Sequence, residues 1–206
     1  MAHNPVLIRA REALEKNWFH CLLADSCEEA VVQAAALIQA DSLCSFGGSM
    51  SVAQSGIKKL VMERNPVLDP YDPALDEAGR LDVRRRAFAC DWYLSGCNAI
   101  TADGMLVNLD AYGNRVGAIG YGPAHVLIVA GSNKIVPDLA AAEARIRTHA
   151  APANNKRLGR KTPCTLTGVC EDCDSPERIC NYFQVVRKSS PRGRITVLLV
   201  DAELGL

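Results

Sequence analysis

The sequence lacks an excess of charge of either sign. Its 23 Lys and Arg residues balance 23 Asp and Glu residues, so the formal net charge is zero at neutral pH. Proteins that bind nucleic acid or an anionic membrane surface through charge usually carry a basic excess. The composition therefore predicts neither nucleic acid nor a membrane as a partner.

Long apolar runs are also missing. The first residues contain no apolar signal-peptide core, and no stretch approaches the length that spans a bilayer. Apolar residues make up 49% of the 206 residues, which is enough for a full core. We therefore expect a single domain over residues 1–206 in the cytoplasm.

The common catalytic and nucleotide-binding signatures are absent as well. The glycine pair at residues 47–48 lacks the Gly-Lys-Ser/Thr ending of a phosphate-binding loop and does not match the dinucleotide-binding fingerprint. No Ser/His/Asp triad is readable, and His125 opens an apolar run where a structural role is favoured. The sequence therefore leaves the catalytic residues unknown.

What the sequence does contain is nine cysteines, four of them in one short segment. Cys164, Cys170, Cys173 and Cys180 follow the spacing C-x5-C-x2-C-x6-C. Thiols in the cytoplasm are more often ligands or reactive groups than disulfides, and a C-x2-C pair can share one metal. The spacing predicts a bound iron-sulfur cluster, with zinc as the alternative and ordinary structural thiols as the third possibility.

The other five cysteines lie among apolar neighbours and are interpreted as small core residues. Cys97, between Gly96 and Asn98, leaves open a role as a reactive thiol. The five are Cys21, Cys27, Cys44, Cys90 and Cys97.

Helix starts recur along the chain. Asn4 before Pro5, and Ser26 with Glu29, are typical N-terminal capping patterns. We predict a helix after each, the second ending near residue 40. Further helices are predicted after residue 49, at about 73–92 and after residue 137. The arginine triplet at 84–86 is interpreted as a solvated face.

Apolar runs predict the strands. The continuous run at 125–130 is typical of a strand covered on both faces, and Asp103-Gly104 predicts a hairpin turn. Other strands are predicted at residues 43–46, 66–69, 99–101, 105–109, 116–119 and 194–200. Residues 150–191, with a basic run at 156–161, show little periodicity and are predicted as a Cys-rich loop.

Strands interleaved with helices predict an α/β fold. We expect a mostly parallel sheet with helices on both faces and an antiparallel hairpin insert between residues 98 and 120. Ligands in such sheets bind beyond the carboxyl ends of strands. The candidates lie in the glycine-rich turn, the hairpin region and the segment after the 125–130 strand: Gly47, Gly48, Ser49, Met50, Ser51, Asn108, Asp110, Asn114, Arg115 and Lys134.

Each candidate also has a structural interpretation. The glycine-rich turn is equally explained as a capped entry into a helix, Asn114 beside Gly113 as a turn former, and Lys134 as a surface lysine. Amides at the start of a helix, together with Arg115 or Lys134, favour a small anionic substrate.

A set of five short motifs together resembles a known family. The motifs are Gly47-Gly48-Ser49, Thr101-Ala-Asp-Gly104-Met-Leu-Val-Asn108, Gly113-Asn114-Arg115-Val116, Gly122-Pro123 and Ala130-Gly-Ser-Asn133-Lys134-Ile-Val136. In combination they resemble the LUD (lactate-utilisation) domain family, over nearly the whole chain.

The resemblance implies a Rossmann-like sheet similar to the phosphosugar isomerase and CoA-transferase superfamily, with substrate near a glycine-rich turn. It also implies a redox context, because family members accompany iron-sulfur proteins in bacterial oxidation of lactate to pyruvate. Larger relatives append ferredoxin-like cysteine motifs, whereas the cysteine run of this chain lies inside the domain, before the last strand.

Three functional hypotheses follow. The leading one is a LUD-type protein that oxidises lactate or a similar small organic acid, with a Cys-ligated iron-sulfur cluster passing electrons to an oxidoreductase or iron-sulfur partner. The second is a redox-free isomerase or transferase acting on a phosphosugar or CoA ester, with structural zinc and Asp103 or Asp110 as proton shuttle or nucleophile. The third is a non-catalytic assembly or sensor subunit.

Overall fold

Ten strands and nine α-helices organise residues 4–206, the part of the chain that the computed structural model describes. The strands are β1 (His20–Ala24), β2 (Cys44–Phe46), β3 (Val67–Leu68), β4 (Trp92–Ser95), β5 (Ala99–Thr101), β6 (Leu106–Asp110), β7 (His125–Gly131), β8 (Ile135–Val136), β9 (Tyr182–Val186) and β10 (Ile195–Val200). The helices are α1 (Pro5–Lys16), α2 (Cys27–Leu37), α3 (Met50–Gln54), α4 (Ile57–Arg64), α5 (Glu77–Arg86), α6 (Asn114–Gly120), α7 (Leu139–Arg145), α8 (Ala151–Arg157) and α9 (Cys164–Thr167).

Six strands form the main sheet in the order β1-β10-β7-β4-β2-β3, and every neighbouring pair is parallel. The central strands β7 and β10 are buried almost throughout. Val126 and Ile128 of β7 pack on the α1 side, whereas Leu127 and Val129 pack on the side of α2 and α4. The predicted parallel sheet with helices on both faces is therefore confirmed.

A second sheet of four strands, ordered β8-β5-β6-β9, contains the predicted hairpin. β5 pairs antiparallel with β6, and β6 pairs antiparallel with β9. The turn between β5 and β6 is attached to α1, because the side-chain amide of Asn17 donates to the carbonyl oxygens of Asp103 (2.7 Å) and Gly104 (3.0 Å). This contact attaches the small sheet to α1, which itself packs on the main sheet.

The predicted helix starts at Asn4 and Ser26 are confirmed. The Asn4 side chain accepts a hydrogen bond from the Val6 amide at 2.9 Å, and Ser26 Oγ accepts one from the Glu29 amide at 3.2 Å. Within residues 4–206, no helix is long and apolar enough to cross a membrane.

Two strands of the main sheet were not predicted. β1 is a short apolar run without alternation, which periodicity alone cannot assign. The helix expected at 73–92 ends at Arg86, and Trp92 opens β4, whose four residues are all buried. Pairing of β4 with β2 and β7 decides its conformation, and that pairing is not visible locally.

Two other predictions were wrong. Residues 116–119 lie in helix α6, because Gly113 (φ 81°) turns the chain into a helix instead of a second hairpin. Residues 150–191 are not one loop, since α8, α9 and β9 lie within them. A π-helical turn, Ile146–Ala150, continues α7 directly into α8.

Gly104 offers a test of the contact between the hairpin and α1. A Cβ at position 104 would lie 2.5 Å from the carbonyl carbon of Ala13, whereas a Cβ at Gly193 would meet no atom within 4 Å. Both glycines have positive φ, so alanine at either costs about 1–2 kcal/mol in strain. We expect Gly104→Ala to lose a further ~1–3 kcal/mol from overpacking. Urea unfolding of the two variants measures this; equal losses would contradict it.

Candidate functional site

A cleft of about 450 Å³ lies between the two sheets. Its floor is built from the segments that follow three adjacent strands of the main sheet, with Gly47 after β2, Gly96 and Cys97 after β4, and Lys134 after β7. This is the edge of a parallel sheet at which ligands usually bind. The volume falls within the range of about 300–1,000 Å³ typical of small-molecule sites.

The structure brings the ten predicted ligand-binding residues to this cleft. Ser51 and Asn108 do not line it themselves, but they bond to residues that do: Ser51 to Lys134 and Asn108 to Arg115. The eight that line it are Gly47, Gly48, Ser49, Met50, Asp110, Asn114, Arg115 and Lys134. Their binding of a ligand stays a prediction.

The glycine-rich turn is shaped by its neighbours in the protein. A Cβ at Gly47 would lie 3.0 Å from Arg115 Cδ, and one at Gly48 would lie 2.8 Å from the Tyr71 hydroxyl. Ser49 caps α3, since its Oγ accepts a hydrogen bond from the Val52 amide at 3.2 Å. Close packing and helix capping therefore account for these residues without a ligand.

Arg115 lines the cleft but directs all of its hydrogen bonds to the protein. Nε donates to Asp110 at 3.2 Å, and the side chains of Asp110 and Arg115 are only 12% and 15% exposed. The terminal nitrogens donate to the side-chain oxygens of Asn108 and Asn98 and to the carbonyl oxygens of Gly96 and Leu109. These bonds use the five N–H groups of a guanidinium. Arg115 therefore offers the cleft no free donor.

Lys134 has a different environment. Its side chain is buried, and Nζ donates to Ser51 Oγ at 3.0 Å and to the carbonyl oxygen of Cys97 at 2.9 Å. Burial lowers the pKa of this amine to about 8, with the cations Arg145 and Arg115 acting in the same direction and Cys97 opposing them. No carboxylate within residues 4–206 forms an ion pair with it. Lys134 is therefore not a surface lysine, which was its structural interpretation from the sequence.

The cleft is strongly basic although the chain is neutral. Asp110 is the single acidic residue among those that line it within residues 4–206. Nε of Arg160 is buried and finds no acceptor in the described part of the chain. Six basic residues line the cleft: Lys58, Arg84, Arg115, Lys134, Arg157 and Arg160.

Several lining residues were missed from the sequence. Arg84 belongs to the triplet interpreted as solvated, but it lines the cleft and lies over the Tyr112 ring, whereas Arg86 is 60% exposed. Arg157 and Arg160 come from the basic run, which predicted no site. The two runs of basic residues were the only indication in the sequence, and such a run does not show which of its residues face a cavity.

The C-terminal segment forms one wall of the cleft. The Gly205 amide donates to Gln54 Oε1 at 2.6 Å, and Arg145 donates to the carbonyl oxygen of Leu206 at 3.3 Å. A Cβ at Gly205 would lie 3.1 Å from Lys134 Nζ. No sequence pattern indicated this contact.

The second hypothesis required a carboxylate at the cleft. Asp103 does not line it; its carboxylate accepts from the Thr101 hydroxyl in the β5–β6 turn. Asp110 lines the cleft but is paired with Arg115. Neither carboxylate is placed as a readily available proton shuttle.

The four clustered cysteines do not form a ready metal centre. Cys164 is buried, and its sulfur lies 3.4 Å from Asn155 Nδ2 and 3.2 Å from Thr162 Oγ1. Cys180 Sγ accepts from Arg178 Nε at 3.2 Å. Among the residues described, no three His, Cys, Asp or Glu side chains form a group that could hold a metal ion. The four thiols are of a type that binds a cluster, but in this arrangement they are not brought together, and the metal site stays a prediction.

Other thiols are mainly core residues, as predicted. Cys21, Cys44 and Cys90 are buried, and burial raises the pKa of each to about 12. Cys97 is 3% exposed but lines the cleft, and burial raises the pKa of its thiol despite the nearby cations Lys134, Arg115 and Arg145.

Comparison with known proteins identifies the family. A family model described as the LUD domain matches residues 7–200. The chain belongs to the LUD-domain family. This family is associated with lactate utilisation in general. No curated protein matches the chain.

The fold of this LUD-domain protein is similar to a crystal structure of a DUF162 family protein from Deinococcus radiodurans, determined at 1.70 Å resolution. The two share 16% sequence identity, with a TM-score of 0.52 over 98% of this chain and 99% of the other. At this identity the similarity concerns the fold alone.

Arg115 should be essential for stability. Arg115→Met leaves Asp110 buried without its cation, and we expect a loss of about 3 kcal/mol in the free energy of unfolding. Arg86→Met is the matched control, because the Arg86–Asp82 pair is more than half exposed and should change stability by less than about 0.5 kcal/mol. Urea unfolding measures both; similar losses for the two variants would show that the buried network contributes little.

Proposed function

We propose that this LUD-domain protein binds lactate, or a similar small 2-hydroxy or 2-oxo acid, in the basic cleft and acts in its oxidation. The observation that carries the proposal is the concentration of basic side chains: six line the cleft against one acidic side chain, in a protein with zero net charge. Two of the six, Lys58 and Arg115, form ion pairs with Asp69 and Asp110. A cleft with this imbalance attracts anions and raises their local concentration. The general association of the family with lactate utilisation supports an organic acid as the anion.

The available donors explain how a carboxylate would be held. Arg115 directs its N–H groups to the protein, whereas Arg160 lines the cleft and its guanidinium donates to no acceptor within residues 4–206. Hydrogen bonds from a cation to a carboxylate are among the stronger ones in proteins. We therefore assign Arg160 a direct contact with the acid, whereas Arg115, paired with Asp110, has no free donor for it.

Electron transfer would be supplied by an iron-sulfur cluster bound by Cys164, Cys170, Cys173 and Cys180, and by a partner oxidoreductase or iron-sulfur protein. Four thiols in one segment are a chemically suitable donor set. The Arg178 contact to Cys180 and the buried position of Cys164 would have to change for the sulfurs to converge. The same segment reaches the cleft, because Ile179 lines it.

Binding of the acid should depend on its charge. We expect lactate and pyruvate to bind the cleft, and the neutral analogue lactamide not to bind. Arg160→Gln should weaken binding about tenfold, which corresponds to the loss of one hydrogen bond from a charged donor. Isothermal titration calorimetry measures the affinities, with Arg85→Gln as the control because this exposed arginine of α5 does not line the cleft. Equal binding of lactamide would exclude charge as the determinant.

Metal content tests the cysteine segment separately. Protein purified without oxygen should contain iron and acid-labile sulfide, and the double variant Cys170→Ser/Cys173→Ser should lose both. Cys27→Ser is the control, since this half-buried thiol lies in α2, outside the segment. Zinc that is present in the wild-type protein and lost in the double variant would indicate a structural zinc site. Wild-type protein that contains neither iron nor zinc would show that the four cysteines are ordinary thiols.

A further inference from the structure

Lys134 is a buried lysine at the floor of the cleft, and no ion pair explains its burial. It is 4% exposed, although lysine is rarely buried without a charged partner. The charged or titratable groups that act on it are the thiol of Cys97 after β4, Arg115 in α6 and Arg145 in α7. Burial is the largest cause that disfavours a positive charge on the amine; Arg145 and Arg115 act in the same direction, whereas Cys97 opposes them.

The neutral form of the amine can make both hydrogen bonds of Nζ. A neutral amine has two N–H groups and one lone pair, and the two acceptors present are Ser51 Oγ at 3.0 Å and the carbonyl oxygen of Cys97 at 2.9 Å. Ser51 Oγ in turn lies 3.3 Å from the Leu204 carbonyl oxygen, to which it donates. When both N–H groups donate to these acceptors, the lone pair remains for a molecule in the cleft, which Lys134 lines.

A glycine lies directly beside Nζ in the wall of the cleft. A Cβ at position 205 would lie 3.1 Å from Nζ and 2.6 Å from Ser51 Oγ. Gly205 also has a φ of 68°, a conformation that residues with side chains rarely adopt. The C-terminal segment therefore packs against the lysine without covering it with a side chain.

We propose that Lys134 is a covalent catalytic residue whose amine condenses with the carbonyl carbon of a 2-oxo acid to form an imine. Nζ attacks the C2 carbon, and the carbonyl π bond breaks to give a carbinolamine. The C2–O bond then breaks, and the oxygen leaves as water with the two hydrogens of the amine. No oxidant or reductant is needed, since no electrons are transferred.

The inference rests on the proposed function, because it takes a 2-oxo acid as the occupant of the cleft. It adds an activity that binding and oxidation do not require. An imine withdraws electrons from C2 and acidifies the hydrogens on C3, as Schiff-base lysines do with carbonyl substrates. The pKa of about 8 supports the assignment, since a larger fraction of the amine is neutral near pH 7.5 than for an exposed lysine.

Borohydride trapping of the wild-type protein tests the proposal directly. We expect pyruvate with sodium cyanoborohydride at pH 7.5 to give a stable adduct that peptide mass spectrometry locates at Lys134. Lys59 in α4, whose side chain is 80% exposed, is the internal control. The neutral fraction of Lys134 exceeds that of an ordinary lysine on the order of a hundredfold at this pH. The rate of adduct formation should rise with pH and level off above about 8.

Variants and calorimetry distinguish failure of the covalent role from failure of the proposed function. Lys134→Arg keeps a cation but cannot form an imine, so the adduct should disappear, whereas Lys59→Arg should leave it unchanged. If calorimetry shows that pyruvate binds but no adduct forms at Lys134, or if surface lysines react equally, the covalent role is wrong while the proposed function stands. If pyruvate neither binds nor reacts, both the covalent role and the choice of a 2-oxo acid are wrong.

Discussion

A buried guanidinium connects the two sheets of this protein. Arg115, at the start of α6, bonds to β6 of the small sheet and to the segment that follows β4 of the main sheet. Its paired carboxylate, Asp110, terminates β6. Because a buried charge without a partner is costly, each group fixes the position of the other. This network joins the two sheets at the edge where the cleft lies.

The two buried basic residues of the cleft differ in how the protein accommodates a basic group away from solvent. Arg115 keeps its charge because a carboxylate and several carbonyl oxygens surround it. Lys134 has two neutral oxygen acceptors, and burial, with the cations Arg145 and Arg115 acting in the same direction, lowers the pKa of its amine. One residue therefore serves as a fixed structural charge, while the other has the properties of a reactive group. Sequence position alone does not distinguish the two roles.

The sequence predicted those features whose causes are local. Capping at Asn4 and Ser26 depends on residues that are close in the sequence. The candidate site residues could be grouped for a different reason, because the carboxyl ends of parallel strands meet at one edge of a sheet. β4 was missed because its strand conformation depends on pairing with β2 and β7. Arg160 and Gly205 were missed because only tertiary contacts place them at the cleft. The family resemblance found in the sequence was confirmed.

The position of β10 determines when the main sheet can be completed. This strand lies between β1 and β7, and β1 has β10 as its only neighbour in the sheet described for residues 4–206. The paired residues His20 and Thr196 are 176 positions apart. Such non-local pairing slows folding, because a long loop must close before the contacts form. During synthesis, β1 emerges early and stays unpaired until residues 195–200 have left the ribosome.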